Sequence, residues 1–353
     1  MSPRLRGSEG EEMMGKLVCF GEIMCRFSPP GYLRVVQASE FGMTFAGGEA
    51  NVAVSVANYG GEAKFVTKLP DNDLTRQALR VLRGYRVDVS DIVLGGERFG
   101  IYFVEKGASQ RPSKVIYDRK HSSIAAAAAE DFDWDRIFEG ASWFHFTGIT
   151  PALSDSLAGL CLDACRKAKE KGLTVSCDLN YRKNLWSTEK AGAVMQELMR
   201  YVDVCIANEE DAEKVFGIRA ADTDVTSGKL SLEGYRSVAQ QLMERFGMKK
   251  VAITLRGSLS ASDNTWAGIL CDGERLYASR EYRIHLVDRV GGGDSFGGGL
   301  IYALMQGYAP QEAIDFAVAA SCLKQATEND FSQSTVAEVR ALMKGDGSGR
   351  VQR

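Results

Sequence analysis

Histidine is scarce in this 353-residue chain, with three residues, at positions 121, 145 and 285. The eight cysteines include no Cys-x-x-Cys pair, which excludes zinc-ribbon and thioredoxin-type chemistry. Neither charge is in excess: 43 Lys+Arg stand against 46 Asp+Glu, a formal net charge of −3. With no basic surplus to displace counterions, the electrostatic case for nucleic acid is absent. No apolar run approaches the ~18 residues of a membrane-spanning helix; the longest alanine stretch is Ala125 to Ala129. The opening MSPRLRGSEGEE has no apolar segment and does not read as a secretory signal. Residues 1–15 are expected to form a disordered leader, with Met13 and Met14 as equally good starts, and residues 345–353 a polar tail.

What is present is an ordinary globular composition, 45% hydrophobic and 25% charged. Leu157, Leu160, Cys161, Ala164, Cys165 and Ala168 follow the spacing of one buried helix face. Free buried thiols fit a reducing, cytoplasmic setting. From Lys16 on, strand and helix patterns alternate. Strands are expected at Leu17–Phe20, Ala63–Thr67, Trp143–Phe146, Thr174–Cys177, Val202–Ile206 and Val251–Leu255. Helices are expected at Ala50–Tyr59, Leu74–Leu82, Ser154–Lys171, Thr188–Tyr201, Leu232–Phe246, Ser295–Gln306, Gln311–Gln325 and Thr335–Met343. Repeated β-α-β units imply an α/β domain over 16–344, with a mostly parallel central sheet covered by helices on both faces. Its ligands belong beyond the carboxyl ends of the strands. Residues 22–46 and 93–120 break the rhythm with short alternating runs, and are expected to form a small β-sheet lid.

The strongest local signal is Gly291-Gly292-Gly293-Asp294-Ser295-Phe296-Gly297-Gly298-Gly299. A glycine loop opening a helix is an anion site, since free N–H groups and the helix dipole both favour negative charge. The Rossmann fingerprint fails because 296 is Phe, and the P-loop fails because Gly298 stands where Lys is needed. Gly293-x-Ser295-x-Gly297 matches the hydrolase elbow, but that fold needs a later His and none follows. What remains is Asp294 in the first turn of a helix. It is either an N-cap or a base beside a ring of donors, the arrangement that hydroxyl-to-phosphoryl transfer requires. Six surrounding glycines favour the base, because a cap needs none of them. A second glycine-opened helix, Gly47-Gly48-Glu49-Ala50-Asn51-Val52-Ala53, reads either as ordinary amphipathicity or as Gly48 and Asn51 bonding sugar hydroxyls.

Together and in this order, the two motifs resemble the signatures of the PfkB (ribokinase-like) carbohydrate kinases. The likeness runs from Leu17 to Met343 and is greatest to the 2-keto-3-deoxygluconate kinases. It rests further on Phe20-Gly21-Glu22-Ile23-Met24, Tyr117-Asp118-Arg119, Gly148-Ile149-Thr150-Pro151, Asp178-Leu179-Asn180-Tyr181-Arg182 and Asn208-Glu209-Glu210. The resemblance implies ATP and Mg²⁺ as cofactors, and transfer to the 6-hydroxyl of a sugar acid. Asp294 would be the base, and the N–H groups of Gly291, Gly292 and Gly293 the anion hole. Gly48, Asn51, Tyr102, Tyr117, Arg119, Ile149, Arg182 and Asp330 would meet the substrate. Asn180, Arg182, Asn208, Leu255, Arg256, Gly257, Gly291 and Gly293 would line the ATP site, and Asn208, Glu209 and Asp211 would hold the metal through water. It also implies a homodimer through lid strands. A kinase of neutral sugars and a catalytically silent sugar-acid sensor are the alternatives. Arg119 and Arg182, flanked by Tyr117 and Asn180-Tyr181, favour an acid, because a guanidinium pairs with a carboxylate bidentately.

The chain departs from the family pattern at Arg289, at Asp211 in place of Glu, and at Gly297 and Gly299 in place of Ala. Alanine at either glycine is expected to stabilise the helix by about 0.4–1 kcal/mol.

Overall fold

The computed structural model describes residues 15–208, 210–219 and 232–345. Most of the expected leader and tail, and Glu209, lie outside the described residues. Elements are numbered in chain order. The main sheet runs β14 (Leu276–Ala278), β13 (Asp263–Cys271), β12 (Lys250–Ser258), β11 (Val204–Asn208), β10 (Thr174–Asp178), β9 (Ala141–Thr147), β1 (Lys16–Phe20), β4 (Ala63–Val66), with β15 (Tyr282–His285) also on β13. From β4 to β12 the pairing is parallel. From β12 outward it is antiparallel, an edge that the sequence pattern did not reveal.

Strand alternation sorts the core into two layers. Val18, Phe20, Phe144, Phe146, Val175 and Cys177 face α3 (Trp134–Ile137), α4 (Ile149–Ala152), α5 (Asp155–Glu170), α6 (Thr188–Leu198), α7 (Asp211–Phe216) and α8 (Leu232–Phe246). Leu17, Cys19, Val204, Ile206 and Ala252 face α1 (Gly48–Asn58), α2 (Asp73–Gly84), α9 (Gly292–Met305), α10 (Pro310–Gln325) and α11 (Val336–Met343). All eight cysteines are free and buried, Cys161 and Cys165 on the inner face of α5 as its spacing predicts.

The two irregular segments form a separate sheet in the order β3 (Gly42–Ala46), β2 (Met24–Ser28), β7 (Gly100–Glu105), β8 (Lys114–Asp118). A two-residue pair, β5 (Lys68–Leu69) with β6 (Val93–Leu94), stands apart from both sheets. The four-stranded sheet is joined to β1 through residues 21–23 and to α1 through Gly47, which places it over the carboxyl end of the parallel strands.

Two expectations about α9 need correction. The helix begins at Gly292, three residues before the predicted Ser295, because Gly291 caps it in a left-handed conformation (φ 81°) that glycine adopts without strain. Gly299 is also not a free position. A Cβ there would lie 3.1 Å from both Ala317 Cα and Ala320 Cβ, since α9 and α10 cross closely. Gly297 would meet only Ile206 Cδ1 at 3.4 Å and Val52 Cγ2 at 3.8 Å, ordinary contacts.

Candidate active site

A cavity of about 490 Å³ opens between the carboxyl ends of the parallel strands and the lid sheet. Its floor is the start of α9. Asp294 is half-buried there and accepts a 2.6 Å hydrogen bond at Oδ2 from Asn51 Nδ2. The Gly47 N–H donates to Asn51 Oδ1 at 3.3 Å, which fixes the orientation of that amide. A Cβ on Gly48 would come 3.6 Å from Asp294 Oδ1, so the bare glycine leaves the approach to the carboxylate clear. The start of α1 is anchored by the buried Glu49, whose Oε1 accepts from the Thr147 N–H (2.9 Å), Thr147 Oγ1 (2.8 Å) and Thr150 Oγ1 (2.6 Å).

Burial pushes the Asp294 carboxyl up to about 6, against the stabilising Asn51 hydrogen bond; Asp330 raises it further, while Arg182 and Lys324 lower it. A carboxylate poised near neutrality is suited to accept a proton from an alcohol as that alcohol is phosphorylated. The N–H groups of Gly291, Gly293 and Asp294 have no acceptor among the described residues. Gly292 corrects the expectation for the anion hole: its N–H closes the turn onto the Arg289 carbonyl at 3.2 Å. Gly293 is exposed, and a Cβ there would meet nothing within 4 Å, so the turn faces open cavity.

At the other side of the mouth, Arg26, Tyr102, Asp288 and Asp330 form one buried network. Arg26 Nη1 donates to Asp330 Oδ1 and Nη2 to Asp288 Oδ2, both at 2.5 Å; the Tyr102 hydroxyl donates to Asp330 Oδ2 at 2.9 Å. Asp330 therefore borders the cavity, but both of its oxygens are engaged within the protein. Arg119, expected as an open carboxylate receptor, is buried and its charge is already matched. Nε donates to Glu22 Oε2 at 2.8 Å, Nη2 bonds the same oxygen, and Ser122 Oγ donates to Glu22 Oε1. Its guanidinium lies 5.4 Å from the Tyr117 ring centre, and Tyr117 stacks on Tyr102 at 5.8 Å. Arg182 is exposed and has no carboxylate partner among the described residues; Nη1 donates to the Tyr181 carbonyl at 3.1 Å.

Along the strand ends, Ile149, Asn180 and Asn208 line the cavity as expected. Asn180 has a positive φ of 39°, with its N–H on Asp178 Oδ1. Asn208 Oδ1 accepts the N–H groups of Glu210 and Asp211. Asp211 is buried, and its oxygens accept the N–H groups of Tyr181 (3.2 Å) and Asn208 (3.3 Å), so it clamps two strand ends together. Of Leu255, Arg256 and Gly257, only Arg256 lines the cavity. The residues alternate along β12, so Thr254 and Arg256 face inward while Leu255 packs in the core and Gly257 lies against Thr265.

Glu22, Arg26, Asp178, Thr254 and Trp266 are site groups to which sequence reasoning assigned no role. For Arg26, the available signal was a lone charge inside an otherwise apolar strand. Burial, with Asp211 and then Asp294 nearby, holds the Asp178 carboxyl well above the ordinary range.

The residues present fit a polyphosphate. The open N–H groups lie at a helix start, and Arg256 and Arg289, both on the cavity, have no carboxylate partner among the described residues. Burial and the neighbouring Arg256 lower the Arg289 guanidinium, as two like charges awaiting an anion would be. Among the described residues no three carboxylate, thiol or imidazole groups converge on one point. That suits a Mg²⁺ ion carried in on phosphate oxygens with water completing its shell.

The sequence profile described as pfkB family carbohydrate kinase matches residues 14–332. The chain is 33% identical over 338 residues to the 2-dehydro-3-deoxygalactonokinase of Haloferax volcanii, covering 96% of this chain and 99% of that protein. It is 28% identical over 332 residues to the 2-dehydro-3-deoxygluconokinase of Thermoproteus tenax, covering 92% and 93%. Among solved structures, the 2-dehydro-3-deoxygluconokinase of Thermotoga maritima superposes with a TM-score of 0.90 at 49% identity, covering 94% of this chain and 98% of that one.

Proposed function

The chain belongs to the pfkB family of carbohydrate kinases, and from that premise we propose that it is an ATP-dependent 2-dehydro-3-deoxygluconokinase (2-keto-3-deoxygluconate kinase). It forms the 6-phosphate of the sugar acid. The observation that carries the reading is Asp294, held at 2.6 Å by Asn51 and with its pKa raised to about 6, beside N–H groups that have no acceptor among the described residues.

Asp294 accepts the proton of the 6-hydroxyl as that oxygen forms its bond to the γ-phosphorus of ATP and the bond to the bridging oxygen of ADP breaks. The N–H groups of Gly291, Gly293 and Asp294, with the dipole of α9, hold the charge on the phosphoryl oxygens. Mg²⁺, arriving with the nucleotide, would neutralise part of the phosphate charge. Asn180, Asn208, Arg256 and Arg289 border the nucleotide side, with Asn208, Asp211 and Glu209 as the metal's outer ligands through water. Arg182 receives the substrate carboxylate. Gly48, Asn51, Ile149, Tyr102 and Tyr117 shape the sugar pocket, and Arg119 acts there as half of a neutral pair with Glu22.

Two assignments are finer. The edge strand β8 is exposed at all five positions, which supports a dimer through lid strands. The eight free, buried thiols support a cytoplasmic location.

The test is an ATP-coupled assay of 2-keto-3-deoxygluconate, its C4 epimer, fructose and ribose. The gluconate should give the highest kcat/KM. Preference for fructose or ribose over both acids would overturn the acid reading, and preference for the epimer would move it to the galactonate.

A further inference from the structure

Lys324, in the last turn of α10, is fully buried and touches the chemistry so far only through its lowering effect on the Asp294 carboxyl. Its ammonium touches no carboxylate among the described residues. It donates to the Asp288 carbonyl at 3.0 Å and to the Val290 carbonyl, the two alternate peptide oxygens of the turn that leads into the glycines. The peptide bonds of this structure are trans, and in a trans peptide the C=O and the following N–H point in opposite directions. Fixing the two carbonyls on Lys324 therefore aims the N–H groups of Arg289 and Gly291 away from it. Both residues border the cavity, and neither N–H has an acceptor among the described residues. Between them, the Val290 N–H is turned back onto Asp288 Oδ1 at 3.1 Å. Alternate peptides thus present their donors outward, which is the form of a backbone anion nest.

The surroundings set the Lys324 ammonium below the ordinary lysine range. Burial pulls its pKa down, but Asp288 and Asp330 oppose that, while Arg26 adds to it. Asp288 and Asp330 share the single positive charge of Arg26, so the three together carry one negative charge in excess. Lys324 lies beside that excess without a direct ion pair to either carboxylate, its hydrogen bonds going to the turn carbonyls instead.

We propose that Lys324 is a positioning residue for phosphoryl transfer: a buried donor that grips the Asp288 and Val290 carbonyls and thereby sets the Arg289 and Gly291 amides as γ-phosphoryl donors. The inference rests on the kinase reading, and its consequence is specific. Losing Lys324 should weaken recognition of the third phosphate and leave the sugar pocket, formed by other elements, as it was.

The experiment compares the parental protein with Lys324→Met, and with Lys324→Gln should the methionine variant be insoluble. Calorimetry with ADP and with the β,γ-imido analogue of ATP is read beside steady-state kinetics. The variant should bind the imido analogue at least about tenfold more weakly while its affinity for ADP changes less. Its kcat should fall by about 10²-fold, the scale of losing an oxyanion-hole donor, with the KM for the sugar acid within about twofold. Equal weakening of ADP and analogue, or parallel rises in both KM values with kcat retained, would mean that Lys324 only holds the fold together. A parental protein that distinguishes ADP from the analogue but phosphorylates no sugar acid would sink the substrate reading and leave the role of Lys324 standing.

Discussion

The two ends of the cavity treat charge in opposite ways. At the lid end, Arg26 closes on Asp288 and Asp330, and Arg119 closes on Glu22. At the α9 end, the N–H groups of Arg289, Gly291, Gly293 and Asp294 and the side chains of Arg256 and Arg289 have no anion among the described residues, and Arg182, across the mouth beside Tyr181, has none either. A satisfied buried pair contributes shape and register more than net stability, because desolvation offsets much of its attraction. An unsatisfied donor in a cavity has value only when a ligand supplies the charge. The closed end therefore shapes and the open end binds. An arginine in the mouth is a receptor only if nothing has already claimed it.

The largest expected effect tests the open end. Asp294→Asn should keep substrate binding and lose roughly 10²–10⁴-fold in kcat, the usual weight of a general base. In the parental enzyme kcat/KM should fall as pH drops through about 6, where Asp294 takes up a proton. The linkage to stability has the opposite sense. A carboxyl raised in the folded state stabilises below its unfolded value, near 3.9, and that contribution is lost as pH rises through about 6. Asp294→Asn should therefore melt higher than the parent at pH 7.5 while being nearly inactive. Turnover near the parental rate would remove Asp294 as the base.

A pair of arginine substitutions sets the two ends directly against each other. Arg182→Lys keeps the charge and loses the planar fork, so the sugar-acid KM should rise about tenfold, near 1.4 kcal/mol, with the melting temperature unchanged. Arg119→Lys should do the reverse. It should lower stability by about 1–2 kcal/mol, less than the ~3–5 kcal/mol of removing a buried partner outright, with a smaller change in KM. Exchanged outcomes would make Arg119 the carboxylate receptor after all.

The smallest effects come from the helix beneath. Gly299→Ala should destabilise by about 1–3 kcal/mol through overpacking against α10. Gly297→Ala should stabilise by about 0.4–1 kcal/mol, with kcat unchanged. Urea melts of the two variants are sufficient to decide.

Sequence alone reached the parallel strands, because each is a short, mostly apolar run ended by a turn, with single polar interruptions such as Lys64, His145 and Ser176. It reached Asp294 because six glycines around one acid suit a phosphate site and little else. It missed β13 to β15, where Asp263, Asn264, Thr265, Tyr282 and Arg283 dilute the apolar pattern of an edge that covers one side only. It misread Arg119 because Glu22 is 97 residues away, and overlooked Arg26 because its carboxylates lie 262 and 304 residues on. Pairing across such separations leaves no local trace. Leu255 and Gly257 were placed in the site by motif alone, where the two-residue period of a strand admits only every second side chain.

A Cβ on Gly298 would lie 2.6 Å from the Cβ of Ser55, so α1 and α9 cross with no room for one methyl group. The helix that carries Asn51 and the helix that carries Asp294 are thereby set like the two blades of a riveted hinge. Loops, lid strands and edge strands between residues 59 and 291 can be lengthened, recoloured or exchanged without disturbing the rivet. Descent with new acceptors thus has a fixed point: substrate preference can drift at the rim, while any replacement of Gly298 must first vacate space at position 55.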